Sequence, residues 1–307
     1  IEHLQDTYKD DKELDKMIFP SEDGLYTEDL ANAPLIRQIE DSDVIEGFPH
    51  WGQLEEILKN GADPNYQNKD GTTPLMLAAE KCSIELVDDL LDAKADPLIQ
   101  DKKGNTALHH AARVGAAIVK TYTMTENHSK IVESLTNRDS KIVELRNQYG
   151  QTALHLAAQN NNPEMVQLLV AKGADIFATD NQEQTALDHA IESNNQEMVK
   201  CLVNARDSNE KTALHLAAQS NDTAMAKSLL KKGAVLEAKD KQGRTALHLA
   251  VQSKNTDMAE LLLKKGADRL ATDNQGQTAL HLAATYGNPQ MVQLLLKKGA
   301  VLEAKDK

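Results

Sequence analysis

Between Ala246 and Lys264 the apolar positions fall into two short stretches at helical spacing. The first holds Ala246, Leu247, Leu249, Ala250 and Val251, the second Met258, Leu261, Leu262 and Leu263. This pattern predicts a helix over 246–253 whose small Ala and Leu face lets a neighbour approach closely, then a second over 256–264 with a wide apolar stripe. Asp240-Lys-Gln-Gly243 ahead of them predicts a turn in which Gly243 takes positive φ, with Thr245 capping the first helix through its hydroxyl. Lys254-Asn255 separates the helices, Asn255 being the residue tolerant of a left-handed conformation, and Gly266 closes the second. Pro163 and Pro289 fall at the corresponding second-helix starts, where a missing amide hydrogen costs nothing.

The same pattern recurs along the chain. Thr-Ala-Leu-His-Leu-Ala begins at Thr152, Thr212, Thr245 and Thr278, and variants begin at Thr73, Thr106 and Thr185. Successive threonines are 33, 46, 33, 27, 33 and 33 residues apart. A fixed period of this length marks a stacked array in which no unit can bury its own apolar face. On these residues the chain resembles an ankyrin repeat protein from about Pro34 onward. The resemblance implies an all-α solenoid of stacked helix-turn-helix units with protruding loops. The expected organisation is an acidic leader over 1–33, a degenerate N-terminal capping repeat over 34–67, and seven repeats over 68–307 anchored at the seven threonines.

Two steps break the period. The 46-residue step carries 13 extra residues near 116–128, between an inner helix over 107–114 and outer-helix character that resumes at Ser129. The insertion reads either as a binding loop or as a neutral excursion in a lengthened helix pair. The 27-residue step lacks six residues near 204–211, including the Gly-Ala-Asp stretch, so a gap in the row of loop tips is expected between the units at Thr185 and Thr212, with no prominent hairpin over Asp207–Lys211.

Charge and composition narrow the function classes. The net charge is −13. Sixteen acidic and five basic residues lie within 1–60, which leaves the array itself near neutral. That end repels phosphate backbones, which argues against nucleic acid; it is either a solvated leader or a patch that steers a basic partner. No apolar run is long enough for a membrane span. Cys82 and Cys201 lie 119 residues apart, too far along an array to pair, and read as reduced core thiols in a cytoplasmic setting. The first residue is Ile1, so the sequence reads as a segment of a longer chain.

Catalytic and metal signatures are missing from the sequence: there is no His-Glu-x-x-His, Cys-x-x-Cys or Gly-rich phosphate loop, so no enzyme activity and no cofactor are expected. The family resemblance assigns His109, His155, His215, His248 and His281 to hydrogen bonding between adjacent loops. His110 and His189, at the next position, read as tolerated substitutions. The resemblance also implies a partner protein bound on the concave side by loop tips and exposed first-helix positions. Tyr, Trp and Arg make the strongest interface anchors. The candidate partner-binding residues are therefore Arg113, Tyr149, Gln151, Arg244, Gln277 and Tyr286, on a monomer. The expected function is a protein interaction scaffold. The alternative is the substrate-recruiting arm of a larger enzyme, or a secreted host-directed effector, whose catalytic domain lies outside this segment. Lys297–Lys307 repeats Lys231–Lys241 letter for letter. Such duplication is associated with ankyrin proteins of bacteria living in eukaryotic cells, which would place the chain in a host cytoplasm.

Overall fold

The computed structural model describes residues 32, 35, 36, 39, 51–114 and 122–300 of the chain. The leader expected over 1–33 lies outside them except for Asn32. Two compact units are present, Ile1–Ala111 and Ala112–Lys307. Between 51 and 300 the described residues form fifteen α-helices and one 3-10 helix.

The helices that begin in the first unit are α1 (Trp51–Lys59), α2 (Pro74–Glu80), α3 (Ile84–Asp92) and α4 (Ala107–Arg113), whose last two residues belong to the second unit. Leu35, Ile39, Leu54, Leu75, Leu90 and Leu108 are fully buried. Pro74 occupies the first position of α2, and the Thr73 hydroxyl accepts from Met76 N at 3.3 Å. Loops are joined at a fixed separation: Asp63 N donates to Asn32 Oδ1 at 2.8 Å and Asp96 N to Asn65 Oδ1 at 2.6 Å. At the tips, Lys102 N donates to Asp70 O at 3.0 Å.

Among the described residues, the first helix to begin in the second unit is α5 (Tyr122–Arg138), followed by a 3-10 turn over Ser140–Glu144. Then come α6 (Ala153–Gln159), α7 (Pro163–Ala171), α8 (Ala186–Glu192), α9 (Gln196–Asn204), α10 (Ala213–Ser220), α11 (Thr223–Lys231), α12 (Ala246–Gln252), α13 (Thr256–Lys264), α14 (Ala279–Thr285) and α15 (Pro289–Lys297). The helices make two layers. In the inner layer α6 packs on α8, α10 on α12 and α12 on α14; in the outer layer α5 packs on α7, α7 on α9, α11 on α13 and α13 on α15.

Several local expectations are corrected. Outer-helix character starts at Tyr122 rather than Ser129, so 122–128 extend α5; residues 115–121 of the insertion lie outside the described residues. The left-handed residue after α12 is Lys254, at φ 60°, and Asn255 instead precedes α13, where its Nδ2 donates to Ala218 O at 2.9 Å. The missing tip is present. Asp207 N donates to Lys211 O at 3.0 Å and Glu210 N to Asp207 O at 2.8 Å, the same turn that Asp240–Arg244 makes. The six absent residues come from the stretch between α9 and this turn, so the turn itself keeps its spacing.

Gly243 shows why a glycine recurs at the tips. Its φ is +76°, and an added Cβ would lie 2.8 Å from Asn274 N of the next tip. Both the backbone angle and the close approach oppose a side chain. Gly243→Ala is expected to lower the stability of the second unit by about 1 to 2 kcal/mol in urea unfolding. An unchanged midpoint would show that the tips tolerate separation freely.

Candidate protein-binding surface

Each tip is built around one turn carboxylate or amide. Asn147 Oδ1 accepts from Tyr149 N at 2.9 Å and Gln151 N at 3.0 Å. Asp180, Asp207, Asp240 and Asp273 repeat this with the residues two and four positions on. Asx turns of this kind satisfy the exposed backbone locally and hold the intervening side chains outward. Successive tips are then tied by backbone bonds: Asn181 N to Tyr149 O at 3.0 Å, Lys241 N to Asn209 O at 2.9 Å, and Asn274 N to Gln242 O at 2.9 Å.

Beneath the tips lies a buried relay. Thr152 N donates to His155 Nδ1 at 3.2 Å, and the Thr152 hydroxyl lies 3.0 Å from the same nitrogen. On its other side His155 Nε2 donates to Gln184 O of the next loop at 3.1 Å. His215 joins Thr212 to Arg244 O, and His248 joins Thr245 to Gln277 O, with Nε2 distances of 3.0 and 3.2 Å. An amide N–H only donates and a carbonyl only accepts, so these partners fix the neutral tautomer with its proton on Nε2. Burial pushes the pKa of all three imidazoles down. Protonation would in addition set an Nδ1 proton against the threonine amide.

At three of the tips the residue before the threonine reaches the end of its own inner helix, eight residues on. Lys211 Nζ donates to Gln219 Oε1 at 3.0 Å, Arg244 Nη1 to Gln252 Oε1 at 2.9 Å, and Gln184 Nε2 to Glu192 Oε1. Gln252 Nε2 continues to the Tyr286 hydroxyl at 3.2 Å, linking two units.

The candidate residues therefore differ in what they offer a partner. Tyr149 is 56% exposed at a tip and Tyr286 37% exposed at the end of α14. Arg113 is exposed at the end of α4. Gln151 is half-buried, with its Oε1 3.4 Å from Asn147 Nδ2. Gln277 is half-buried, and its carbonyl is taken by His248. Arg244 is turned inward: Nε and Nη2 both donate to Asp240 Oδ2, at 3.0 and 2.8 Å. Burial alone would raise the Asp240 carboxyl, but the hydrogen bonds from Arg244 and Gln242 hold it below its ordinary value.

His110 and His189, read from the sequence as tolerated substitutions, are instead partners of the turn. His189 Nε2 lies 2.8 Å from Asp180 Oδ2, and His110 bridges Asp101 and Glu80 at 3.1 Å each. They do for Asp180 and Asp101 what Arg244 does for Asp240. The nine-residue separation from turn aspartate to this histidine was the available signal.

A family model described as ankyrin repeats (three copies) matches residues 50–121, 122–210, 174–240 and 214–306. The chain is an ankyrin repeat protein. This ankyrin array is also similar to the human transient receptor potential cation channel subfamily A member 1, with 27% identity over 133 residues; that stretch is 43% of this chain and 11% of the channel protein. The chain thus spans a small fraction of that relative's length.

Among the described residues no helix is long and apolar enough to cross a membrane, and no group of three His, Cys, Asp or Glu side chains is placed to hold a metal ion. A depression of about 470 Å³ lies on the outer layer between α7 and α9, lined by Pro163, Gln167, Lys200, Cys201 and Val235 among others. Burial raises the Cys201 thiol, which keeps it protonated rather than nucleophilic.

Because the folded-state imidazole pKa values lie below the ordinary 6.5, the relay's contribution is complete above that pH and is lost as pH falls from 6.5 toward the depressed values. The urea midpoint is expected to fall between about pH 7.5 and about pH 5.5. The triple variant His155→Gln, His215→Gln, His248→Gln should unfold earlier at the higher pH and show a flatter dependence; an equal slope would rule the relay out as the cause. Arg244→Ala leaves the buried Asp240 without its cation and is expected to cost about 1 to 3 kcal/mol of stability, read by the same unfolding.

Proposed function

We propose that this ankyrin array is a non-enzymatic scaffold that binds a partner protein, as a monomer, along its tips and inner-helix ends. The observation that carries this reading is the exposure of Tyr149 and Tyr286 on a row whose other side chains are mostly amides already ordered by hydrogen bonds. A surface held in place before binding loses little conformational entropy on association, and exposed tyrosines supply large, rigid contact area. Arg113, Gln151 and Gln277 fit the rim of such a site; Arg244 contributes by bracing Gln252, which in turn holds the Tyr286 hydroxyl. The near-neutral, amide-rich face suits a polar protein surface better than a polyanion. Two cysteines outside any disulfide fit a reducing compartment such as the cytoplasm.

A second reading is favoured by one observation, the match to only 11% of a far longer protein. In that reading the array is the recruiting arm of a larger chain, whose activity lies elsewhere. Both readings place the partner on the same surface.

The test is affinity with folding held constant. Once a partner is captured by cross-linking to the intact chain, Tyr149→Ala and Tyr286→Ala should each weaken its binding by at least ~1 kcal/mol, about fivefold in Kd, with unchanged helical circular dichroism. Unchanged affinity in both variants would move the site off this face.

A further inference from the structure

Three kinds of hydrogen bond cross every 33-residue step of the second unit, and a fourth ties its outer loops. The first is the backbone bond between tips, from Asn181, Lys241 and Asn274. The second is the imidazole bond to the next loop, from His155, His215 and His248. In the third, the residue before the turn reaches a carbonyl 33 residues on: Arg206 Nη1 to Lys239 O at 2.7 Å, Lys239 Nζ to Thr272 O at 2.8 Å, and Arg146 Nη1 to Thr179 O. The fourth holds the outer loops: Asp175 N to Glu144 Oε1, Val235 N to Asn204 Oδ1 and Asp268 N to Glu237 Oε1, at 2.9 to 3.0 Å.

Among the described residues none of the first three spans the 27-residue step, and the sequence supplies a reason for two of them; the fourth survives there in one place, because Asn204 ends α9 and Val235 follows α11. Asp188 stands in the imidazole position; a carboxylate has no N–H to give, and its Oδ2 is already taken by Thr185 N at 3.0 Å and the Thr185 hydroxyl at 2.7 Å. Thr179 stands where Arg146, Arg206 and Lys239 stand elsewhere and is too short to reach across. At the tips, Gln182 O and Ser208 N, the pair equivalent to Gln242 O and Asn274 N, are not bonded to each other. The tips on either side also carry Glu183 and Glu210 at φ 60° where Gly150 and Gly243 stand elsewhere, so both hold backbone strain.

What remains at this step is apolar packing and one polar pin at the outer edge. α8 and α10 do not pack as the other inner neighbours do; instead α9 leans on α10, with Leu202, Val203 and Ala205 buried. The outer edge is pinned by Asn204, whose amide bonds Val235 N at 3.0 Å and Gly233 O at 3.3 Å. Apolar burial holds surfaces together without fixing their angle, whereas hydrogen bonds are directional.

We propose that the step between Thr185 and Thr212 is a hinge about Asn204 and Ala205, so that residues 122–203 and 206–300 are two bodies that open and close on the tip side. Tyr149 lies on one body and Tyr286 on the other. The hinge angle therefore sets the distance between them, and a partner that touches both closes the array to its own size. The hinge itself stands on the bonding pattern and needs no partner to be tested.

The test compares the wild-type full chain with a repaired chain that carries Asp188→His and the six residues Gly-Ala-Asp-Ile-Phe-Ala inserted between Ala205 and Arg206. Native-state hydrogen exchange in rising urea is followed for α6 to α9 and for α11 to α14. The wild type should show two opening transitions, with protection in the two bodies differing at least about tenfold at intermediate urea, and the repaired chain a single shared one. Spin labels at Gln159→Cys and Gln219→Cys, in a Cys82→Ala, Cys201→Ala background, span the hinge; labels at Gln219→Cys and Thr285→Cys span the same number of steps without it. The first pair should give the broader distance distribution, narrowing on repair. One shared transition in the wild type, or equally narrow distributions for the two pairs, overturns the hinge. Two transitions that persist in a folded repaired chain overturn the assignment of its cause to the missing bonds.

Discussion

From α6 to α15 no helix exceeds nine residues, too few to stay helical alone in water. Everything else depends on how one unit holds the next. Burial supplies the adhesion: Met258, Ala259 and Leu262 of α13, for example, are fully buried, and each large side chain so enclosed is worth about 1.5 to 3 kcal/mol. Burial does not choose a register. The neutral imidazoles of His155, His215 and His248 do, because each accepts from the threonine that starts its own helix and donates to the carbonyl that precedes the next. One side chain thus caps a helix and fixes its distance from the following loop.

A face built this way is ordered before anything binds it. The turn aspartates orient the tips, and Lys211, Arg244 and Gln184 brace the tips against inner-helix ends. Side chains left outside these networks, Tyr149 above all, are the ones free to meet a partner. The order is local to each run of 33-residue steps. Where the relay stops at Asp188, the face divides, and the two tyrosines fall on opposite sides of the division.

The repeat and its helix starts were legible in the sequence because Thr-Ala-Leu-His-Leu-Ala states both a cap and its partner. Gly243 and Gly266 marked their positive-φ positions for the same reason, since little else adopts that backbone cheaply. The tip at Asp207–Lys211 was misread from the length of the deletion, although Asp207 and Lys211 keep the four-residue spacing of every other turn. Which polar residues on the face are free could not be read, because that depends on side-chain reach. Arg244 had the residue type of an interface anchor, but Asp240 and Gln252 occupy its guanidinium. His110 and His189 were legible only as departures from leucine, and their carboxylate partners lie nine residues back, across a turn whose geometry had first to be known.

Neutral imidazoles with their protons on Nε2 set the register between neighbouring repeats. Long-range nitrogen-15 spectra of the histidine side chains, recorded on the intact chain from about pH 8 to about pH 5, test it most directly. His155, His215 and His248 are expected to be neutral, with Nε2 protonated and Nδ1 unprotonated, and to stay so as pH falls below 6.5. Protons found on Nδ1, or titration at or above 6.5, would contradict the claim.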